Sequence, residues 1–299
     1  MKIGFIGLGR MGFNMVQNLL DKKHEVVAFD MNEEVVSQIA NDGAIGVRSI
    51  KEMASELSSP RVFWVMVPSG KPVDMVFSEI MKYTEKGDII IDGGNSKYTD
   101  SVAREKELSE KGLNFLDVGT SGGLDGARNG ACMMIGGEQD IFASIEPIFK
   151  DMCVVDGYGY VGEAGSGHFV KMVHNGVEYG MMQAIGEGFE LLEKSPFNLD
   201  FKDVSKIWAN GSVIRSWLID LIHEAFTQDI TLKEFDGPVG DSGEGKWTLE
   251  AALNYKVAVP AIAASVWERY RSRECSPLTD KAVSAMREGF GRHVSGNKQ

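Results

Sequence analysis

Five side chains able to exchange protons or hydrogen bonds share one face of a predicted helix: Lys171, His174, Asn175, Glu178 and Tyr179, within the run Phe169-Val-Lys-Met-Val-His-Asn-Gly-Val-Glu-Tyr-Gly180. At about 100° per residue they span an arc of roughly 140°. Phe169, Met172, Val173, Val177 and Met181 fall largely outside that arc and are expected to pack. An amine, a carboxyl, an imidazole, an amide and a phenol aimed at one point could take a proton from one atom and return one to another. Spacing alone also fits a solvated helix face with a Lys171–Glu178 pair two turns apart. What tips the balance lies upstream.

The elements that must hold this face follow from periodicity. In the first half, Ile3–Ile6, Glu25–Phe29, Val62–Val67, Asp88–Ile91, Asn114–Val118, Cys132–Ile135 and Val154–Asp156 read as strands. Met11–Lys22, Glu33–Asn41, Ile50–Ser58, Pro72–Tyr83 and Tyr98–Lys111 carry helical spacing between them. That alternation predicts a doubly wound, mostly parallel sheet of Rossmann type. After about residue 161 the spacing is helical: Gly165–Lys194, Lys202–Gly211, Ile214–Thr227, Thr248–Ser272 and Thr279–Phe290. Glycine-rich breaks at Gly237–Gly245 and at Pro277 interrupt it. The expected organisation is an α/β Rossmann-type doubly wound domain over 1–162, followed by an all-α domain over 163–299. The five-residue face opens the second domain, so a cleft is expected at the junction.

A dinucleotide site is predicted at the first strand. Gly7-Leu8-Gly9-Arg10-Met11-Gly12 follows Lys2–Ile6 directly and opens a helix. The glycines allow a tight turn and close approach of backbone to a pyrophosphate, and the helix start offers N–H groups to the phosphates. Asp30 ends the second strand, near the expected offset for a ribose-binding carboxylate. A carboxylate there accepts from a free 2′-hydroxyl and repels a 2′-phosphate, and Met31, Asn32, Glu33 and Glu34 supply no cation. NAD is therefore expected over NADP. Arg10 could lean on the pyrophosphate. Two more loops end strands on the same edge. Val67, Pro68 and Ser69 in Met66–Gly70 are expected along the cofactor, and Asn95 in Ile91-Asp-Gly-Gly-Asn-Ser96 offers an amide to cofactor and substrate.

The bulk properties exclude other classes. The chain has 299 residues, 43% hydrophobic and 25% charged, which suits one large or two ordinary globular domains. A net charge of −12 argues against a nucleic-acid or anionic-membrane partner, and an anionic metabolite would need a local cationic pocket. The three cysteines, Cys132, Cys153 and Cys275, are widely spaced, which suits reduced thiols in the cytoplasm. The five histidines form no metal-binding pattern. The N-terminus reaches its glycines too soon for a signal peptide, and Val257–Trp267 is too short to span a bilayer.

Taken together, Gly7–Gly12, Asp92-Gly-Gly-Asn95, Thr120-Ser121-Gly122-Gly123, Lys171-x-x-His-Asn-Gly-Val-Glu-Tyr179 and Gly245-Lys-Trp-Thr248 resemble the 6-phosphogluconate dehydrogenases over nearly the whole chain. The chain is short, and Met31 stands where the NADP enzymes have an arginine, so it resembles the short, NAD-preferring branch. The resemblance implies NAD-linked oxidative decarboxylation of 6-phosphogluconate in the pentose phosphate pathway or gluconate utilisation. It implies Lys171 as general base and Glu178 as general acid. It also implies substrate binding by Asn95, Ser121, Gly122, Gly123, His174, Asn175, Tyr179 and Arg269, with Arg287 and His293 reaching a neighbouring subunit's substrate in a homodimer or homotetramer. Ser242 and Glu244 depart from the pattern, which has a lysine and a threonine there. A carboxylate near a phosphate repels it, so Glu244 is expected to point away or its loop to have moved. Two rival readings are a 3-hydroxyisobutyrate-type β-hydroxyacid dehydrogenase and a dinucleotide-sensing protein without turnover. The first shares the glycine fingerprint, the Ser-Gly-Gly loop and the lysine, but does not call for His174 or Glu178-Tyr179. The second does not explain an acid and a base together.

Overall fold

A computed structural model of the protein describes residues 1–233, 235 and 238–274. The chain forms two compact units, one from Met1 to His174 and the other from Asn175 onward. The first alternates strand and helix: β1 (Lys2–Ile6), α1 (Arg10–Asp21), β2 (Glu25–Phe29), α2 (Glu33–Asn41), β3 (Ile45–Gly46), α3 (Ile50–Glu56), β4 (Val62–Val65), α4 (Lys71–Ile80), β5 (Ile89–Asp92), α5 (Tyr98–Ser109), β6 (Asn114–Ser121), α6 (Gly123–Asn129), β7 (Ala131–Gly137), α7 (Gln139–Met152) and β8 (Cys153–Gly162). Helix α8 (Ser166–Glu193) runs from the first unit into the second. Then follow α9 (Phe201–Ala209), α10 (Trp217–Gln228), α11 (Glu244–Tyr255) and α12 (Pro260–Arg271).

The eight strands form one sheet in the order β3-β2-β1-β4-β5-β6-β7-β8. Every pairing is parallel except β6 with β7. Central strands such as Val62-Phe-Trp-Val65 and Ile89-Ile-Ile91 are buried along their whole length, as strands covered on both faces must be. Two apolar clusters account for the two faces. One gathers Phe5, Met15, Leu19, Trp64, Ile91 and Phe149, and the other Ile6, Met53, Phe63, Phe77, Ile90 and Phe115. Each large side chain so buried contributes about 1.5–3 kcal/mol. The consequence for function is topological. β1, β2, β4, β5 and β6 run in one direction, so the loops that follow them share one sheet edge. The chain reverses its winding between β1 and β4, where such sheets open a crevice.

The doubly wound sheet and the helical region after it match the expectation. Three details differ. Helices α6 and α7 carry no assignment in the sequence reading, because α6 is glycine-interrupted and α7 contains Pro147. A single helix is expected over 248–272, but the chain forms two. Lys256 closes α11 in a left-handed conformation (φ 57°), and Pro260, which lacks the N–H an interior turn needs, opens α12. On α8, Met172 is buried as expected, but Val177 and Met181 are 49% and 41% exposed.

Candidate active site

The three glycines of the loop after β1 differ in what surrounds them. Gly7 has φ +100°, a conformation costly for any residue with a side chain, and a Cβ there would collide with the carbonyl of Met66. A Cβ on Gly12 would collide with the carbonyl of Gly7. Gly9 is different: it is exposed, and a Cβ on it would meet nothing within 4 Å. The fold therefore does not require glycine at position 9, and the backbone there is open to close approach. Helix α1 starts there with no carboxylate in its first turn, while α2, α3 and α4 each have at least one. That leaves the positive end of its dipole for an anion.

Asp30 is tied to the same loop. Leu8 donates its N–H to Oδ2 at 2.7 Å, and Asn32 donates its N–H to Oδ1 at 2.8 Å. Each oxygen keeps a lone pair, so the carboxylate is aimed and still able to accept from a ribose hydroxyl. Asn32 itself caps α2. Met31 is 94% exposed. Val67, Pro68 and Ser69 follow β4 beside the glycine turn, and Arg10 and Met11 begin α1. The residues of this loop set fit a dinucleotide.

Asn95 lies exposed at the end of β5 on a loop fixed from beneath. Asp92 is fully buried and accepts from Arg104 Nη1 at 3.1 Å and from the Gly94 N–H at 3.3 Å. Arg104 also donates to Ser96 Oγ at 3.3 Å and to Asp74. Ser121, Gly122 and Gly123 end β6 and turn into α6, with Gly122 left-handed.

Helix α8 approaches this edge closely because Gly119 has no side chain: a Cβ there would fall on the Cβ of Lys171. Lys171 is thereby held half-buried beside β6. His174 reaches Ser121, with Nε2 3.3 Å from Oγ. Two residues expected to hold substrate thus meet within the first unit.

Asn175, Glu178 and Tyr179 belong to the second unit. There Asn175 Nδ2 donates to Glu244 Oε1 at 3.1 Å. Tyr179 is buried, donates to Asp241 Oδ1 at 3.4 Å, and carries the Arg269 guanidinium over its ring at 3.6 Å. Burial foremost, and then the nearby Glu244, raises the Tyr179 phenol above its usual range, against the pull of Arg269. Glu178 is half-buried. Glu244 is the first residue of α11, 3% exposed, and accepts from Asn175. Arg287 and His293 lie outside the described residues. Among the described residues no His, Cys, Asp and Glu group is arranged to hold a metal ion, and no helix is long and apolar enough to cross a membrane.

Sequence reasoning passes over His168, Arg104 and Asp117. For His168 a signal exists: three residues before Lys171, it falls at about +60° on the same helical arc. For Arg104 and Asp117 the sequence offers no such mark.

Comparison with known proteins adds an independent line. Residues 2–162 match the family described as the NAD binding domain of 6-phosphogluconate dehydrogenase, and residues 167–196 match its C-terminal domain. The Bacillus subtilis protein YqeC is 49% identical over 298 residues, covering 100% of both chains. An NAD(+)-dependent, decarboxylating 6-phosphogluconate dehydrogenase of Haloferax volcanii is 43% identical over 300 residues, covering 100% of this chain and 99% of that one. Among solved structures, Plasmodium falciparum 6-phosphogluconate dehydrogenase superposes with a TM-score of 0.84 at 30% identity, over 100% of this chain and 67% of that one. Mycobacterium tuberculosis 3-hydroxyisobutyrate dehydrogenase superposes at 0.73 and 23% identity, over 90% and 92%, a likeness of fold alone.

Proposed function

The chain belongs to the 6-phosphogluconate dehydrogenase family, and we propose that it converts 6-phosphogluconate to ribulose 5-phosphate and CO2 with reduction of NAD. One observation carries this reading: an NAD-dependent decarboxylating relative matches it from end to end, and Asp30, tied to the glycine loop by the Leu8 N–H, supports it as a carboxylate suited to a ribose hydroxyl.

When bound, NAD supplies the acceptor for the hydride leaving C3 of the sugar acid. The chain's own residues handle the protons. Lys171 Nζ removes the proton of the 3-hydroxyl, so that the carbon can release its hydride. A free lysine is protonated at neutral pH, with an ordinary value of about 10.4, so the base must enter the reaction neutral. Lys171 lies half-buried beside β6. Ser121 Oγ and the backbone of Gly122 and Gly123 hold the substrate carboxylate, with His174 orienting the hydroxyl of Ser121. The 3-keto acid has its carboxylate β to a carbonyl and loses CO2. Lys171, now an ammonium, stabilises the enediolate oxygen left behind. Glu178, two turns along the same helix, protonates C1, while Asn175 and Tyr179 bind the sugar hydroxyls and Arg269 the phosphate. Glu244 beside Asn175 makes the start of α11 unsuited to the phosphate. We propose further that the enzyme is a cytoplasmic homodimer or homotetramer in which Arg287 and His293 complete a neighbour's site.

The test is a substrate panel with NAD. 6-Phosphogluconate should reduce NAD at least 100-fold more efficiently than gluconate or 3-hydroxyisobutyrate, on the scale that a desolvated, unpaired phosphate pocket costs. Better turnover of 3-hydroxyisobutyrate would refute the assignment.

A further inference from the structure

Beneath the candidate site lies a buried histidine with a complete set of partners. His168 is 2% exposed, in the first turn of α8, three residues before Lys171. Its Nε2 lies 3.0 Å from the carbonyl oxygen of Gly94 and its Nδ1 lies 2.7 Å from Ser101 Oγ on α5. Its backbone N–H donates to Asp117 Oδ2 at 2.7 Å, and the Gly165 N–H donates to Oδ1 of the same carboxylate at 2.6 Å. Asp117, on β6, is fully buried.

These partners fix the ring. A carbonyl oxygen only accepts, so Nε2 must carry a proton. In the neutral ring Nδ1 then accepts, and the Ser101 hydroxyl donates to it. The bond to Gly94 is directional. The Gly94 carbonyl belongs to the peptide that joins Gly94 to Asn95, so its orientation sets where the Asn95 side chain begins. The other end of that loop is fixed by Asp92 and Arg104. Glycines at 93 and 94 give the segment little stiffness of its own. His168 therefore connects two functional groups by short rigid paths: one helical turn to Lys171, one peptide to Asn95.

We propose that His168 is a positioning residue of the reaction, which registers Asn95 against Lys171 by donating from Nε2 to the Gly94 carbonyl. The inference rests on the roles given above to Asn95 and Lys171. A misplacement of about 1 Å between groups that must address the same substrate costs on the order of 100-fold in rate. The loss should fall on use of the sugar acid and spare the glycine loop after β1.

Two amides separate this role from bulk support of the fold. His168→Gln carries an N–H near the place of Nε2 and can still donate to Gly94. His168→Asn carries its amide near the place of Nδ1, keeps Ser101 and cannot reach Gly94. Expected for His168→Asn is a fall of about 10- to 100-fold in kcat/KM for 6-phosphogluconate, with NAD affinity within twofold of wild type. His168→Gln should recover most of that loss at similar Tm. Ser101→Ala, which frees the ring to turn, should lose a few-fold in the same direction. The proposal is overturned if His168→Asn retains wild-type kcat/KM, or if loss in both amides follows Tm alone with no advantage for glutamine. If His168→Asn does not fold, the proposal stands or falls on Ser101→Ala and His168→Gln: equal NAD affinity with lowered sugar-acid efficiency in Ser101→Ala supports it, and full activity in Ser101→Ala overturns it. A fully active Lys171→Ala protein would instead remove the reading beneath it, whatever the His168 variants do.

Discussion

Two helices of this protein begin in glycine-rich turns, and they begin in opposite chemical states. Helix α1 opens after Gly7–Gly9 with Arg10 and no carboxylate in its first turn, and Gly9 borders open space. Helix α11 opens after Gly243, itself left-handed, with Glu244 as its first residue, buried and hydrogen-bonded to Asn175. A negative side chain favours the positive end of a helix dipole. The start of α1 thus carries no carboxylate of the protein's own, while the start of α11 does. Glycine next to a helix start does not by itself mark an anion site. What the first turn carries decides it.

The largest effect that sharpens this contrast is at Lys171, which the first unit holds beside Gly119. Lys171→Ala should lower kcat with 6-phosphogluconate by about 1,000-fold. NAD binding, proposed at the α1 start, should stay within twofold by titration calorimetry. A variant with near-normal turnover would remove the base from Lys171.

The next effect separates glycine needed by the fold from glycine needed by the ligand. Gly7→Ala should destabilise the protein by about 2 kcal/mol or more, because it combines positive φ with a collision at Met66. Gly9→Ala should leave Tm unchanged and weaken NAD binding by about 10-fold, as expected when a methyl group holds the backbone away from a phosphate. Equal melting losses in both variants would mean that the open space at Gly9 is not a ligand's.

At α11 the effect is smaller. Glu244→Gln keeps the shape but presents a group that can also donate, so the amide of Asn175 is no longer fixed by an acceptor-only partner. KM for 6-phosphogluconate should rise by roughly 3- to 10-fold, the scale of one hydrogen bond, with KM for NAD unmoved. A changed KM for NAD alone would break the contrast between the two helix starts.

The smallest effect is on stability and depends on pH. Burial is the largest influence on Asp117 and raises its carboxyl above the ordinary range, against the lowering by His168 and two backbone N–H groups. The folded state therefore holds this proton more tightly than the unfolded chain. The stabilisation is complete below the unfolded value of about 3.9 and is lost as pH rises through the higher folded value. The Tm of Asp117→Asn minus that of wild type should therefore grow between pH 4 and pH 7. A flat or falling difference would reverse the sign assigned to burial.

How far the sequence alone leads depends on what each residue does. The α1 turn is legible because its function is backbone geometry, and at positions 7 and 12 only glycine provides it without a collision. The strands are legible because Val62–Val65 and Ile89–Ile91 are continuous apolar runs. The five-residue face of α8 is legible as a pattern. What the pattern does not tell is that Val177 and Met181 on the same helix are exposed. The break between α11 and α12 is written in Pro260, but the apolar spacing on either side conceals it. Glu244 is legible only as a departure from the family pattern, because its partner, the amide of Asn175, is brought to the start of α11 by tertiary structure. Arg104 and Asp117 have no mark in the sequence, because their partners Asp92, Ser96, Gly165 and His168 are set by tertiary structure.

The central claim is that this chain oxidises and then decarboxylates one sugar acid with NAD. It is tested most directly by supplying 6-phosphogluconate labelled at C1 and measuring labelled CO2 against NADH as the reaction runs. The account predicts one CO2 for each NADH, with ribulose 5-phosphate as the remaining product. NADH formed while the label stays in an acid product, or no NADH at all, would contradict it.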